Sequence, residues 1–131
     1  MNNTFRYYGP AILWALFILL ICSIKLGKIA GSPMFFPGFD KLVHCGLFFV
    51  LVILCSSGLI RQQLHVGLTY KNIVLPVLIA IIYGGTIELL QHYIFTWRSG
   101  EWNDLFADTI GACMGTFSII ITIKAMTYVK K

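Results

Sequence analysis

Four apolar runs, each close to the length that crosses a lipid bilayer, limit what this chain can fold into. They cover residues 10–25, 42–60, 73–95 and 105–123. Only 11% of the 131 residues are charged, against about 25% in soluble domains, which leaves too little polar surface for a globule in water. Because a backbone in lipid must satisfy its own hydrogen bonds, the runs predict helices. We expect a single all-α membrane domain over residues 1–131, a four-helix transmembrane bundle.

Several local features refine these spans. A cleaved signal peptide is an alternative for the first run, but Lys25 and Lys28 stand where its cleavage site would begin, so we predict a retained helix. Asp40 is a suitable N-cap for the second span, and Pro76 lies near the start of the third, where a helix tolerates proline best. In the fourth span, small residues recur every four positions and predict a close approach by a neighbouring helix. They are Ala107, Gly111 and Gly115.

The distribution of cations predicts the orientation. Four spans place both termini and the loop at 61–72 on one side, which carries six Lys and Arg residues, whereas the other side carries four. The six are Arg6, Arg61, Lys71, Lys124, Lys130 and Lys131, and the four are Lys25, Lys28, Lys41 and Arg98. Because cations are retained in the cytoplasm, we predict an N-in, C-in orientation. The net charge of +5 then indicates membrane lipids as partners, and no nucleic acid.

Acidic residues inside the apolar runs are the least expected feature. Four of the five acids lie between residues 88 and 115, and Glu88 and Asp108 fall within predicted spans. A charged side chain at a helix centre costs roughly 2.5–3.5 kcal/mol on insertion scales, and such residues usually face the bundle interior. Asp104 and Asp108 share a helix face. In the predicted orientation all the acids lie near the outer surface, so we expect an outward-opening polar pocket.

Each polar residue of this pocket has a candidate role. The candidate acid and base residues are Asp40, His44, Glu88, Asp104 and Asp108, and the candidate binding residues are Lys41, Gln91 and Arg98. The candidate ligands for a divalent cation, the one cofactor considered, are His44, Glu88, Asp104 and Asp108. His92 adds a second imidazole to the same region. Headgroup binding or chemistry and metal binding both suit the pocket, whereas ion passage is disfavoured because the inner halves of the spans lack ionisable residues.

A structural alternative is that the same charges only neutralise one another. Arg98 would then pair with Asp104, and Lys41 with Glu88, so that the helices are held in register by a non-catalytic scaffold. We favour a functional site, because apolar packing usually stabilises a bundle better than buried ions do.

The ordered motifs resemble those of the VanZ-like membrane proteins. DKLVH (40–44) is followed by IYGGTIELLQ (82–91), Arg98 and DLFADTIGACMG (104–115). These match the family pattern D-K-x-x-H, E-x-x-Q, R and D-x-x-x-[ND]-x-x-G-x-x-x-G. Asp108 stands where many relatives carry Asn. The resemblance implies a small multi-pass protein of the bacterial cytoplasmic membrane and cell envelope, with a possible lipid-linked or amphiphilic ligand. The founding member is associated with resistance to teicoplanin, a glycopeptide. The family supplies no reaction, so whether the chain is an enzyme stays open.

Overall fold

The computed structural model describes residues 3–24, 33, 36–63, 69–97 and 100–129, and these form four long helices and no strand. The helices are α1 (Asn3–Ser23), α2 (Phe39–Gln62), α3 (Tyr70–Tyr93) and α4 (Trp102–Val129). All four are long and apolar enough to cross a membrane. The predicted all-α class is therefore confirmed.

The helices form an up-down-up-down bundle in which α2 packs most extensively against α4. The described part of α1 makes no contact with α4, so α2 and α3 lie between them. Two polar contacts identify the ends of the bundle. The Tyr8 hydroxyl donates to Gln62 where α1 begins and α2 ends, and Lys41 contacts Glu101 where α2 and α4 begin. We call the end that contains Lys41 and Glu101 the α2/α4-start end.

The buried core is apolar and runs through the centre of the bundle. Phe48 and Val52 from α2 are fully buried with Ile18 from α1 and Ile87 from α3. Large apolar side chains also cover the outside of the helices. Among the exposed ones are Leu13, Ile82, Phe106 and Phe117. Apolar surface on all sides of a bundle is what a lipid environment requires and what water disfavours.

All four helices begin earlier than the predicted spans, at Asn3, Phe39, Tyr70 and Trp102. Helix α2 has Gly38 as its N-cap, with φ +88°, so the prediction that Asp40 is the N-cap is wrong. Asp40 instead lies in the first turn, where a carboxylate still interacts favourably with the helix dipole. Helix α1 begins at Asn3 and contains Pro10 in its interior. The apolar runs report the hydrocarbon-facing length of each helix, and the polar turns beyond them carry no such signal.

Pro76 lies in the second turn of α3, because α3 begins at Tyr70 rather than at residue 73. A proline has no N–H for the carbonyl four residues earlier, which here belongs to Asn72. The hydroxyl of Ser56 on α2 donates to that carbonyl at 3.4 Å. The packing of α2 against α3 thus provides a donor where the helix cannot.

Side-chain donors fix α1 to its neighbours by bonding to main-chain carbonyls. Trp14 on α1 donates to the carbonyl of Leu47, and Tyr83 on α3 donates to that of Ala15. A carbonyl oxygen has two lone pairs, so it can accept these bonds besides its bond within the helix. These two bonds join α1 to α2 and α3.

Candidate functional site

His44 lies at the centre of a group of acids at the α2/α4-start end. Its Nδ1 lies 2.9 Å from Oδ1 of Asp108, and its Nε2 lies 4.0 Å from Oδ2 of Asp104. All three side chains are almost completely buried. Asp104 and Asp108 are one turn apart on α4, so they share a face. The imidazole of α2 thus lies against two successive turns of α4.

Glu88 brings a third carboxylate from α3. Its Oε2 accepts a hydrogen bond of 2.8 Å from the main-chain N–H of Glu101, immediately before α4. A carboxylate at a helix N-terminus is favoured by the free amide groups there. Glu88, His44 and Asp108 each offer one ligand-type atom, and these atoms all lie within 4.8 Å of one another. Three helices therefore meet at this point through polar side chains.

Asp40 and Lys41 form the outer layer of the site. Asp40, His44 and Asp104 make a second group whose ligand-type atoms lie within 4.8 Å of one another, and Asp40 is its exposed member. Nζ of Lys41 lies 3.2 Å from Oε2 of Glu101 and 3.5 Å from Oδ1 of Asp104. The lysine thus pairs with Glu101 and Asp104 instead of Glu88. Hereafter the acidic cluster denotes Asp40, His44, Glu88, Asp104 and Asp108.

Glycines allow the helices to approach closely enough to form the acidic cluster. A Cβ atom on Gly84 would lie 2.7 Å from Oδ2 of Asp108, and one on Gly115 would lie 2.7 Å from the carbonyl oxygen of Phe49. Gly111 packs in the same way against the carbonyl of Cys45. The close approach predicted from the small residues of α4 is confirmed, and the neighbouring helix is α2.

Several buried oxygens of the site lack a hydrogen-bond partner within the described part of the chain. Three belong to carboxylates, namely Glu88 Oε1, Asp104 Oδ1 and Asp108 Oδ2. Asp104 Oδ1 has its ion-pair contact with Lys41, but that contact lacks hydrogen-bonding geometry. A buried polar atom without a partner costs about 1–3 kcal/mol, and more when it is charged. Among the described residues, the acids of the cluster outnumber the cations that contact them.

Comparison with known proteins assigns the chain to a family. A family model described as VanZ/LLP1 matches residues 4–123. This chain belongs to the VanZ/LLP1 family. No curated protein and no solved structure gives a match. The matched region contains the acidic cluster of this VanZ family membrane protein and all four apolar helices, α4 up to residue 123.

Two further candidate residues of the VanZ family protein, Gln91 and His92, lie outside the acidic cluster. Gln91 is fully buried, and its Nε2 donates to the carbonyl of Cys22 at 3.0 Å, so it joins α3 to α1. Its Oε1 has no hydrogen-bond partner in the described part of the chain. His92 is exposed, with its ring edge-on to that of Tyr93. Arg98, with its predicted pairing to Asp104, lies outside the described residues.

Sequence reasoning did not give Glu101 or Gly100 a role at this site. Glu101 contributes its main-chain N–H to Glu88 and its carboxylate to Lys41. A Cβ atom on Gly100 would lie 2.8 Å from the carbonyl oxygen of Glu88, so the chain turns tightly over the end of α3. The Ser-Gly-Glu sequence before an apolar helix was the available signal for such a turn.

Proposed function

We propose that this VanZ family protein binds the polar end of an amphiphilic component of the bacterial cell envelope at its acidic cluster. The observation that carries the proposal is the meeting of polar side chains from three helices around buried carboxylate oxygens that lack hydrogen-bond partners in the described chain. A ligand with hydrogen-bond donors or positive charge would satisfy those oxygens. We propose a binding function and assign no reaction.

The ionisable groups of the acidic cluster are unfavourable for the stability of the bundle alone. Replacing a buried ion pair by apolar side chains of similar volume is often neutral or stabilising. Ionisable residues within membrane helices are accordingly rare, and they usually mark substrate or ion sites. Here Glu88, Asp104 and Asp108 come from two helices and point to one imidazole. A ligand that interacts with them would offset their unfavourable burial.

Aromatic side chains at the α2/α4-start end support a position of the acidic cluster near the membrane surface. Trp97 and Trp102 are exposed on either side of the turn that precedes α4, and Phe36 is exposed before α2. Tryptophan is enriched where the headgroups meet the hydrocarbon, because its ring is apolar and its N–H is polar. An amphiphile could place its headgroup against the acidic cluster while its chain remains among the lipids around the bundle.

The cation count supports an outward position in the cytoplasmic membrane. Six cations on the side of both termini against four on the other favour termini in the cytoplasm. The α2/α4-start end would then face outward, where envelope components are found. Family membership supports a link with resistance to teicoplanin-type glycopeptides, and we include that link in the proposal.

A scaffold function is the second candidate, and specific contacts favour it. Lys41 pairs with Glu101 and Asp104, His44 pairs with Asp108, and Glu88 binds the start of α4. These contacts could exist only to hold α2, α3 and α4 in register. The two functions differ in what isosteric changes do, because a scaffold loses stability when its pairs are broken and a ligand site loses activity.

The test compares Glu88→Gln and Asp108→Asn with Glu101→Gln in a bacterial host that depends on this protein for teicoplanin tolerance. Glu101→Gln is the matched control, because Glu101 is acidic, exposed and at the same end but outside the acidic cluster. We expect the first two variants to lose tolerance at wild-type membrane abundance and melting temperature, and the control to keep it. Lipids that co-purify with each variant, identified by mass spectrometry, would report the ligand directly.

Two outcomes would overturn the proposal. If Glu88→Gln and Asp108→Asn fold normally and retain full tolerance, the acidic cluster is not a functional site. If each change lowers abundance and melting temperature in proportion to the loss of tolerance, the scaffold function is correct.

A further inference from the structure

We infer that His44, Glu88 and Asp108 bind one divalent cation of the Mn²⁺ or Zn²⁺ kind in the interior of the acidic cluster. The inference rests on the proposed function, because it concerns the same site, and it deepens that function by adding an ion that neutralises the site.

The distances suit a shared ion. Bonds from Zn²⁺ to carboxylate oxygen and imidazole nitrogen are about 2.0–2.2 Å, so two atoms bound to one ion lie about 3–4.4 Å apart. His44 Nδ1 and Asp108 Oδ1 are 2.9 Å apart, a hydrogen-bond distance, so an ion bound by His44 and by Oδ2 of Asp108 would replace that hydrogen bond. With Glu88 included, the three ligand-type atoms lie within 4.8 Å of one another. Small side-chain rotations would bring all three onto one ion.

The buried oxygens are the second and independent observation. Oδ2 of Asp108 belongs to a side chain with no exposed surface, and it has no hydrogen-bond partner within the described residues. Oε1 of Glu88 is also buried and without a hydrogen-bond partner there, although Glu88 as a residue is only partly buried and its Oε2 is fixed by the N–H of Glu101. Each carboxylate thus has one oxygen held by the protein and one that is buried and available. A cation between α3 and α4 would bind Oε1 of Glu88 and Oδ2 of Asp108.

The balance of charge indicates a cation and not an anion. Glu88 and Asp108 contact no Lys or Arg among the residues that the structure describes, and Lys41 is held further out by Glu101 and Asp104. Burying ionised carboxylates away from Lys and Arg is strongly unfavourable, and the imidazole of His44, which contacts Asp108, cannot neutralise both acids. A mixed set of one imidazole and two carboxylates suits Mn²⁺ and Zn²⁺ better than Mg²⁺, which prefers oxygen ligands and retains water.

The alternative ligand set shares His44 but uses Asp40 and Asp104. That set is the less suitable one, because Asp40 is exposed and Lys41 already lies 3.5 Å from Oδ1 of Asp104. The positive ammonium group would repel an ion there. Asp40→Asn therefore separates the two sets, since it removes a ligand from the outer set only.

The experiment is a Mn²⁺ titration of the purified full-length protein in detergent after treatment with EDTA, followed by electron paramagnetic resonance. We expect saturable binding of one Mn²⁺ per chain, with competition by Zn²⁺. Loss of a ligand should weaken binding at least about tenfold, since changes to groups that merely orient a ligand cost 10–100-fold. We expect that loss for Glu88→Gln and Asp108→Asn, a clearly smaller loss for Asp40→Asn, and affinity within a factor of two of wild type for Glu101→Gln.

A measurement on the wild-type protein keeps the test independent of variant folding. Electron spin-echo modulation from a directly bound nitrogen is expected, because His44 is a ligand. Absence of saturable binding, absence of that nitrogen signal, or equal weakening by Glu101→Gln would each overturn the inference. So would weakening by Asp40→Asn without weakening by Glu88→Gln. Cation binding is measured here without any amphiphile, so its failure is distinct from failure of the teicoplanin assay.

Discussion

Nδ1 of His44 lies 2.9 Å from Oδ1 of Asp108, and this contact joins the first turns of α2 to the second turn of α4 inside the bundle. Nε2 of the same ring faces Asp104 at 4.0 Å. Each ring nitrogen can donate to one acceptor, so the imidazole can bond to at most two of the carboxylates around it. The histidine alone therefore cannot satisfy the acidic cluster, and the stability of the site depends on what each acid has besides it.

The first prediction is a strong coupling between His44 and Asp108. Asp108→Asn retains the shape and a hydrogen bond while removing a buried charge, so we expect its unfolding free energy to stay within about 1 kcal/mol of wild type. His44→Ala leaves the acids without their partner and should cost about 3–5 kcal/mol. In the double variant the loss of unfolding free energy should be smaller than the sum of the two single losses, with a coupling energy of about 1–3 kcal/mol. Denaturant unfolding in detergent measures all four proteins, and additive effects would contradict the prediction.

The second prediction concerns the contact between Gly84 and Asp108. Gly84→Ala would place a methyl group 2.7 Å from Oδ2 of Asp108 and 3.3 Å from Leu105. Because the site is tightly packed, we expect a loss of about 1–3 kcal/mol in stability and a displaced Asp108. Gly85→Ala is the matched control, since a Cβ atom there meets nothing within 4 Å. Melting temperatures and Mn²⁺ affinities of the two variants check this, and equal behaviour would show that Gly84 has no special packing role.

The third prediction concerns the packing of α2 against α4. A Cβ atom on Gly111 would overlap the main-chain carbonyl of Cys45, and main chain cannot move aside as a side chain can. Gly111→Ala should therefore separate the two helices and disrupt the site more than Gly84→Ala does. Gly46→Ala, at an open position on α2, should be close to neutral. Cross-linking efficiency between cysteines placed on α2 and α4 would report the separation, and undiminished cross-linking in Gly111→Ala would contradict it.

Much of this arrangement follows from residue spacing. The apolar runs predict the helices, and the recurrence of Asp104 and Asp108 at one turn predicts their common face. The row of small residues on α4 predicts a close helix neighbour, although not which helix. Local spacing and polarity carry these signals, and they require no knowledge of how distant segments meet.

The parts that sequence did not predict depend on contacts between segments. Lys41 pairs with Glu101 because the turn before α4 folds over the end of α3, and Glu88 is then occupied by a main-chain N–H. Gln91 bonds to the carbonyl of Cys22 because of how α1 packs against α3, which no motif encodes. The starts of all four helices were missed because each helix extends beyond its apolar run.

The fourth prediction concerns the proline in α3. Ser56 donates to the carbonyl of Asn72. Pro76 has no N–H and so cannot make the usual helical hydrogen bond to that carbonyl. We expect Ser56→Ala to cost about 1 kcal/mol, and less in a Pro76→Ala background, where residue 76 supplies its own N–H. Ser118→Ala is the control, because Ser118 bonds only within its own helix, to the carbonyl of Met114. Thermal unfolding of the single and double variants measures the difference, and an unchanged effect of Ser56→Ala in the alanine background would exclude this compensation.

The fifth prediction is the orientation on which the proposed function depends. Trp102 at the start of α4 and Tyr70 at the start of α3 are both exposed and lie at opposite ends of the bundle. Single cysteines at these positions, in a background without Cys22, Cys45, Cys55 and Cys113, can be labelled by a membrane-impermeant maleimide. If the side with six cations is cytoplasmic, Trp102→Cys reacts in intact cells and Tyr70→Cys reacts only after permeabilisation.

The reverse labelling pattern would place the acidic cluster at the cytoplasmic surface. The distances around His44 and the predicted cation site would stand, because they depend only on the fold of the bundle. The proposal of an envelope ligand would fail, since components beyond the cytoplasmic membrane could no longer reach Glu88 and Asp108. The labelling experiment therefore separates the chemistry of the site from its biological partner, and it should precede any search for the ligand.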